Sequence, residues 1–454
     1  MEGKVQEPMS ARNASRNVAA APNAAAAPNA AAAAAARNAA GARNAAGAAA
    51  RNAAAAASVQ KTNPFQKLTR ERRTTLKFQL NPSNVTYANT LRRVMMTEVE
   101  TIAFRTDIIE NGSTSDVKIT ENSTPMSNEM LAHRIGLLPI HIQKPLDWNP
   151  DEYIFKMDVK NDSAEPRDVV ASDITVLQNR GADEEPLPVP SVQFFHPDPI
   201  TKDTALLSVL KGRVGTQVPE SIVFTGKATI GTGRENARFN PVTKCAYGYT
   251  IDTDPEKKKE LFTKWLTTHK KVSISELEGN EVRRGEMERE FATMEVQRCY
   301  LKDARGEPYS FDFIVESVGV LDPVYIVRRA LEVLEAKTLH YAAIDSGDLP
   351  ETMKVRPADA RMKGFDFYFK KEDHTLGNLL ATWMEQNLMD SGEVTFVSYK
   401  VPHPLRDEML IRVGVEDGLE TTARAALAKA ARSTGQMFRE WLAFWMGASA
   451  TVPV

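Results

Sequence analysis

Thr86-Tyr87-Ala88-Asn89-Thr90-Leu91 and Thr375-Leu376-Gly377-Asn378-Leu379-Leu380 read alike: threonine, then a small residue and an asparagine, then leucine. Each follows a stretch that suits a half-buried strand. Before the first, Thr75-Leu76-Lys77-Phe78-Gln79-Leu80 alternates apolar with polar residues, and before the second, Phe365, Phe367 and Phe369 share one face of an extended segment. A short match can arise by chance, but a shared strand-then-helix context argues for an internal repeat. The expectation is an α+β fold holding two copies of one β-α-β-β-α module. Two such modules in tandem can associate about a pseudo-twofold axis, as homodimers do. Ala88 and Gly377 are small enough to let a facing helix approach closely. That packing would offset the roughly 1 kcal/mol that glycine costs relative to alanine in a helix interior.

Working outward from the first copy, Asn81-Pro82 offers an N-cap residue and a proline at the first helical position. Val85, Ala88, Leu91, Met95, Val99 and Ile102 then form one apolar helical stripe, with Arg92 and Arg93 off it. Strands over 101–109 and 115–120 and a short helix over 127–137, stopped by Pro139, complete a unit spanning 74–140. From 141 to 308, short alternating runs between Pro and Gly predict a β-rich insert domain. The first module resumes over 309–340, with a strand at 311–318 and a helix at 324–339. Residues 341–363 lack periodicity and predict a linker. The second module, 364–454, has a helix capped by Thr375 and carrying Leu376, Leu379, Leu380, Trp383 and Met384. Strands at 394–401 and 409–415 follow, then a long helix from Asp417 towards Met446 bearing Phe438, Trp441, Leu442 and Trp445.

At 454 residues the chain can bury more than one core. Residues 1–73 read as a low-complexity Ala/Asn/Arg-rich tail and lead-in, with Arg-Asn recurring amid alanine and almost nothing to bury. Such a tail suits a disordered or cationic arm; Glu2, Glu7 and the regular repetition weigh against a transit peptide. A net charge of -2 argues against a protein that mainly grips phosphate backbones. Cys245 and Cys299 are too few for a disulfide framework and lack zinc-ligand spacing, so no metal or other cofactor is expected and a reducing compartment is. No apolar run of about 18 residues predicts a membrane span, and the start lacks the pattern of a secretory signal.

Three stretches carry a resemblance: Asn89-Thr90-Leu91-Arg92-Arg93-Val94, Leu131-Ala132-His133-Arg134-Ile135-Gly136-Leu137-Leu138-Pro139, and the strand over 311–321. They resemble the larger alpha-like subunit of cellular RNA polymerases, the archaeal D type. Glu372-Asp373-His374-Thr375-Leu376-Gly377-Asn378-Leu379-Leu380 and Tyr399-Lys400-Val401-Pro402-His403-Pro404-Leu405 resemble the smaller partner, the archaeal L type. Together the likeness covers about 74–446. Fusion of both in one chain is similar to what large DNA viruses of eukaryotes carry. The resemblance implies a non-catalytic assembly platform of a DNA-directed RNA polymerase, a hetero-oligomer with the two largest subunits and a small platform subunit. It implies little direct contact with nucleic acid. A viral source implies the virion and cytoplasmic viral factory, or the nucleus.

By the same resemblance, Ala88, Leu91, Met95, Thr375, Leu376, Gly377, Asn378 and Leu379 form the joint between the halves. Asn89, Arg92, Arg93, His133, Arg134, Gly136 and Arg234 face the second-largest subunit, Arg234 from a loop over 231–241 that resembles one in the family's inserted domain. The sequence departs from the family in two places. It has no cysteine cluster for the zinc or iron-sulfur group that some members hold, and it has Asn128-Glu129 where the family has Asp-Glu.

On the residues alone, His133-Arg134 and Arg92-Arg93 suit either an acidic partner or a solvated helix end. His374 beside Asp373 lacks a nucleophile and sits where a helix cap is required, and His403 between two prolines suits a turn. Gly231-Thr232-Gly233 lacks the Lys-Ser or Lys-Thr of a phosphate loop. Arg70-Glu71-Arg72-Arg73 reads as a nuclear-import signal or a charged lead-in to a strand. Trp441 and Trp445 share one helical face and suit core packing. The competing reading is an independent DNA-binding regulator that uses the arginine-bearing tail.

Overall fold

The computed structural model describes residues 62–107, 116–181, 184–359 and 361–450. The repetitive tail therefore lies outside the described residues. In the first half, β1 (Phe65–Arg72), β2 (Thr75–Leu80), α1 (Val85–Thr97), β3 (Val242–Tyr249), β4 (Phe311–Ser317) and α2 (Pro323–Leu339) build one layer of sheet and one of helix. The four strands are antiparallel in the order β1-β2-β4-β3. The period-2 pattern turns Leu76, Phe78, Leu80, Phe311, Phe313 and Val315 inward, and all are buried under the helices.

The second half repeats this plan with β5 (Met353–Pro357), β6 (Gly364–Lys370), α3 (His374–Met384), β7 (Phe396–Lys400), β8 (Glu408–Gly414) and α4 (Glu420–Ser449). Its sheet order, β5-β6-β8-β7, is the counterpart of the first. The repeating unit is thus β-β-α-β-β-α, one strand longer than the sequence pattern suggests. The extra strands are edge strands whose sequences hide them. β1 buries Phe65 but exposes most of its polar residues, so the basic run at 70–73 forms the end of a hairpin within the fold, ahead of the expected start at Thr74. β5 lies inside the expected linker, and Tyr341, Ile344 and Met353 from that same stretch belong to the second core.

Helix starts also differ from expectation. Asn84, not Asn81, caps α1: its side chain accepts from the Tyr87 N–H at 2.8 Å, leaving Pro82 in the preceding loop. Asp373 caps α3 by accepting from the Thr375 N–H at 2.8 Å, so Thr375 lies inside the helix. Asp322 caps α2, with Pro323 in the first turn.

The middle of the chain departs most from the sequence boundaries. The strands Glu100–Ala103 and Val117–Asn122 and the helix Asn128–Gly136, expected in the first module, pack with the β-rich region instead. Val117–Asn122 is the edge of a five-stranded antiparallel sheet through Ser221–Gly226, Tyr153–Lys160, Thr175–Gln178 and Leu187–Val189. Glu100–Ala103 pairs with Thr229–Thr232. Ile102, Phe104, Leu131 and Ile135 share a core with Phe155, Phe194 and Phe224, which is what draws these elements away from the first sheet. Within 141–308, β3 returns to the first sheet. Helices Pro255–Trp265, Ile274–Leu277 and Glu281–Glu290 then enclose a small core of Trp265, Leu266, Leu277 and Phe291, so that stretch is helical, not β-rich.

Candidate assembly interface

α1 and α3, the helices of the internal repeat, pack against each other. Thr86 Oγ1 lies 3.2 Å from Thr382 Oγ1, and Arg93 Nε donates to Thr375 Oγ1 at 2.8 Å. One sequence offset relates the caps Asn84 and Asp373, the pair Thr86 and Thr375, and the pair Arg93 and Thr382. The two contacts are therefore reciprocal, the position on one helix meeting on the other the counterpart of its own partner, as in an isologous interface. Asn378 Nδ2 donates to Thr86 Oγ1 at 3.4 Å and Arg93 Nη2 to Asp373 Oδ2 at 3.2 Å. Burial works against ionisation of Asp373, but bonds from Thr375 and the charges of Arg93 and Arg234 outweigh it and hold the carboxyl below its ordinary value.

A buried ion network closes one side of this joint. Lys337 Nζ of α2 lies 2.6 Å from Glu98 Oε1, just after α1, and 3.2 Å from Glu372 Oε2, just before α3. Burial opposes the ammonium charge, yet the two carboxylates together raise the Lys337 pKa. Burial dominates at Glu372 and pushes its pKa up despite Lys337. Burial and the Glu372 charge push the Tyr341 phenol to about 12.

α4 joins the halves through apolar contact. Its first part places Ala423, Leu427 and Ala431 in the second core, while Phe438, Trp441 and Trp445 enter the first. Trp445 is fully buried against Phe65 and Phe78, and its Nε1 donates to Val324 O at 3.1 Å. α2 and α4 meet closely at Gly435, where a Cβ would stand 2.7 Å from Leu339 Cδ2.

Of the residues expected at the joint, Thr375 and Asn378 make the bonds described between α1 and α3. Leu379 is buried in the first core with Ala88, Leu91 and Met95. Leu376 and Gly377 instead face their own sheet. Leu376 lies in the second core, and a Cβ on Gly377 would fall 2.6 Å from the Tyr399 ring. The close helix approach expected at Gly377 occurs at Gly435.

Two residues expected to face another subunit are engaged within the chain. Arg93 bridges to α3, and Arg234 Nη2 donates to Asp407 Oδ1 of the second half at 2.7 Å. The Arg234 loop is anchored on the end of α1: a Cβ on Gly233 would lie 2.4 Å from Met96 O, and the Arg234 N–H bonds Thr97 O at 2.8 Å. Arg92 bonds its own helix, Nε to Asn89 Oδ1 at 3.0 Å, and lines an open groove with Tyr247, Tyr249 and Asp312. His133 is exposed, and Arg134 Nη2 bonds Leu206 O at 2.8 Å. Gly136 is buried, and a Cβ there would lie 2.8 Å from Thr106 Oγ1. Arg92 thus belongs to the first half, and His133, Arg134 and Gly136 to the helix beside the five-stranded sheet.

Sequence reasoning missed Thr86, Thr382, Lys337, Glu98, Glu372 and Asp407. Thr86 stood inside the repeat and Glu372 at the head of the motif before α3, while Lys337 is one of several charged residues on its helix and, like Thr382, Glu98 and Asp407, carried no distinguishing local signal. Elsewhere, His403 Nδ1 accepts from the Leu405 N–H at 3.1 Å, fixing a turn. Burial pushes the Cys245 thiol up to about 12. Among the described residues no group of His, Cys, Asp or Glu is arranged to hold a metal ion, and no helix is long and apolar enough to cross a membrane.

Two α+β halves joined by reciprocal helix contacts define a protein built from paired dimerisation modules. Residues 77–180 and 365–442 each match the RNA polymerase Rpb3/Rpb11 dimerisation domain, so the chain carries two of these domains. It is homologous to alpha-like RNA polymerase subunits. It is 26% identical over 262 residues to DNA-directed RNA polymerase subunit Rpo3 of Methanosphaera stadtmanae, covering 56% of this chain and 87% of that protein. It is 26% identical over 296 residues to DNA-directed RNA polymerases IV and V subunit 3B of Arabidopsis thaliana, covering 58% and 85%. A conjugation stage-specific protein of Tetrahymena thermophila is 25% identical over 297 residues, covering 57% and 88%.

Proposed function

We propose that this chain is a non-catalytic assembly platform of a DNA-directed RNA polymerase, both alpha-like halves fused as an intrachain pseudo-dimer that docks the two largest subunits and a small platform subunit. The observation that carries this reading is the reciprocal pairing of Thr86 with Thr382 and of Arg93 with Thr375 between two dimerisation domains. One polypeptide supplies both sides of a contact that separate alpha-like subunits would make between chains. Asn89, Arg92, His133, Arg134 and Gly136 remain assigned to the second-largest subunit, because Arg92 bonds within its own helix and lines an open groove and His133 is exposed, which leaves both open to a partner.

The test is purification of the tagged full-length chain from its native source. The two largest polymerase subunits should come with it in stoichiometric amounts, and their absence from an intact preparation would refute the platform. Fusion of the halves supports a viral source, with the complex in virions and the cytoplasmic viral factory, or in the nucleus; fractionation of infected cells checks that location.

A further inference from the structure

The outward face of the second sheet carries a concentration of unpaired cations. Strand alternation turns the apolar residues of β5–β8 toward the helices, so the register sets Lys354, Tyr368, Leu410 and Lys400 side by side on the opposite face. Arg356, Lys370 and Arg406 border the same row around a cleft of about 390 Å³. Among the described residues, Lys354, Arg356, Lys370, Lys400 and Arg406 have no ion-pair partner and are exposed. Glu408 is the one carboxylate lining the cleft. In the next row Arg412 clasps Asp366 through two bonds of 2.6 and 2.7 Å, and Arg356 stands on the other side of Asp366.

The module does not require this charge. At the place corresponding to Leu410, the first sheet has Asp312, which accepts from Gln79 Nε2 at 2.9 Å and from Thr250 Oγ1 at 3.1 Å. The second sheet has replaced that satisfied polar pair with an apolar floor, Leu410 being 3% exposed, beneath free lysines and arginines. At the lip, Leu405 is 90% exposed beside Pro402 and Pro404.

We propose that this face docks an acidic polypeptide segment with an apolar anchor, presented by a protein partner. Charge complementarity selects an anion, and lysines, as point charges on flexible stems, suit carboxylates in an extended chain without fixed geometry. Leu405, at the lip, supplies the apolar contact. A polynucleotide fits less well. Tyr368 is the only aromatic lining the cleft, and the Arg356 guanidinium lies over its ring at 5.3 Å, leaving no free stacking platform.

This proposal deepens the platform reading but is tested on the isolated full-length chain, so its failure leaves co-purification of the polymerase as an independent result. Fluorescence anisotropy would compare a labelled peptide repeating two glutamates and a leucine with a labelled single-stranded oligonucleotide. Lys354→Glu, Arg356→Glu and Lys400→Glu together should weaken peptide binding at least about tenfold. The cationic tail is common to both proteins and cancels from the comparison. Leu405→Ser should weaken the peptide and leave the oligonucleotide unchanged. Lys400→Glu alone serves if the triple variant melts early. Unchanged peptide binding in the reversed variants, or a larger loss for the oligonucleotide than for the peptide, would overturn the proposal.

Discussion

Arg93 spans the joint with bonds to Thr375 and Asp373. Arg93→Ala removes both and leaves a partly buried carboxylate with one cation fewer. Because the pair is about one-third exposed, the expected loss is modest, about 1–2 kcal/mol, read from urea unfolding at neutral pH. The folded pKa of Asp373 is depressed, so its stabilising contribution is present above the ordinary value of 3.8 and fades as pH falls through the folded value. The two tight glycines test different packings. Gly435→Ala should force α2 and α4 apart at Leu339 and cost about 1–3 kcal/mol. Gly377→Ala should cost a similar amount by displacing Tyr399, with the joint between the halves unchanged by crosslinking across Thr86 and Thr382. Gly377 looked like a helix-approach residue because sequence spacing identifies a small residue without showing which neighbour fills the space.

Among the elements, α2 and α4 do most to hold the halves together. Trp445→Ala removes a fully buried ring that contacts Phe65 and Phe78 and should destabilise the protein by about 3–5 kcal/mol, measured as a shift of the urea midpoint. Lys337→Met leaves Glu98 and Glu372 buried without their cation and should cost about 3 kcal/mol or more near neutral pH. The Lys337 pKa is raised in the folded state, so its contribution is complete below the ordinary value of 10.5 and disappears as pH rises through the folded value. Glu372 has the opposite consequence. Its raised folded pKa favours the protonated form, so stability falls as pH rises from 4.5 through the folded value. Glu372→Gln should flatten that part of the profile, and an unchanged slope in urea unfolding across those pH values would contradict the assignment.

For the whole molecule, the shared core is the deciding feature. Phe438, Trp441 and Trp445 come from the second half's last helix but are buried with the first half's strands. The first half does not complete its core without this helix, whose first part lies in the second core. The two sheets should therefore unfold in one transition, checked by coincident Trp fluorescence and far-ultraviolet circular dichroism curves. Truncation after Thr434 should abolish the first half's native packing along with the joint.

The strands 75–80, 311–317 and 364–370, the helices that follow them and the repeat relating the halves were legible in the sequence, because period-2 and period-3.6 patterns are local consequences of burying one face. The edge strands β1 and β5 were not, since they bury few side chains and take their shape from the strand beside them. The region of residues 100–140 was also misassigned, because Ile102, Phe104, Leu131 and Ile135 are apolar in any setting and only packing against Phe155 and Phe224 selects their core. At the candidate interface, the sequence alone supplied the pair of like helices and Thr375, Asn378 and Leu379 upon them. Tertiary structure alone decided that Arg93 and Arg234 reach across the chain, because their partners Asp373 and Asp407 lie far along the sequence and meet them only once the halves are packed.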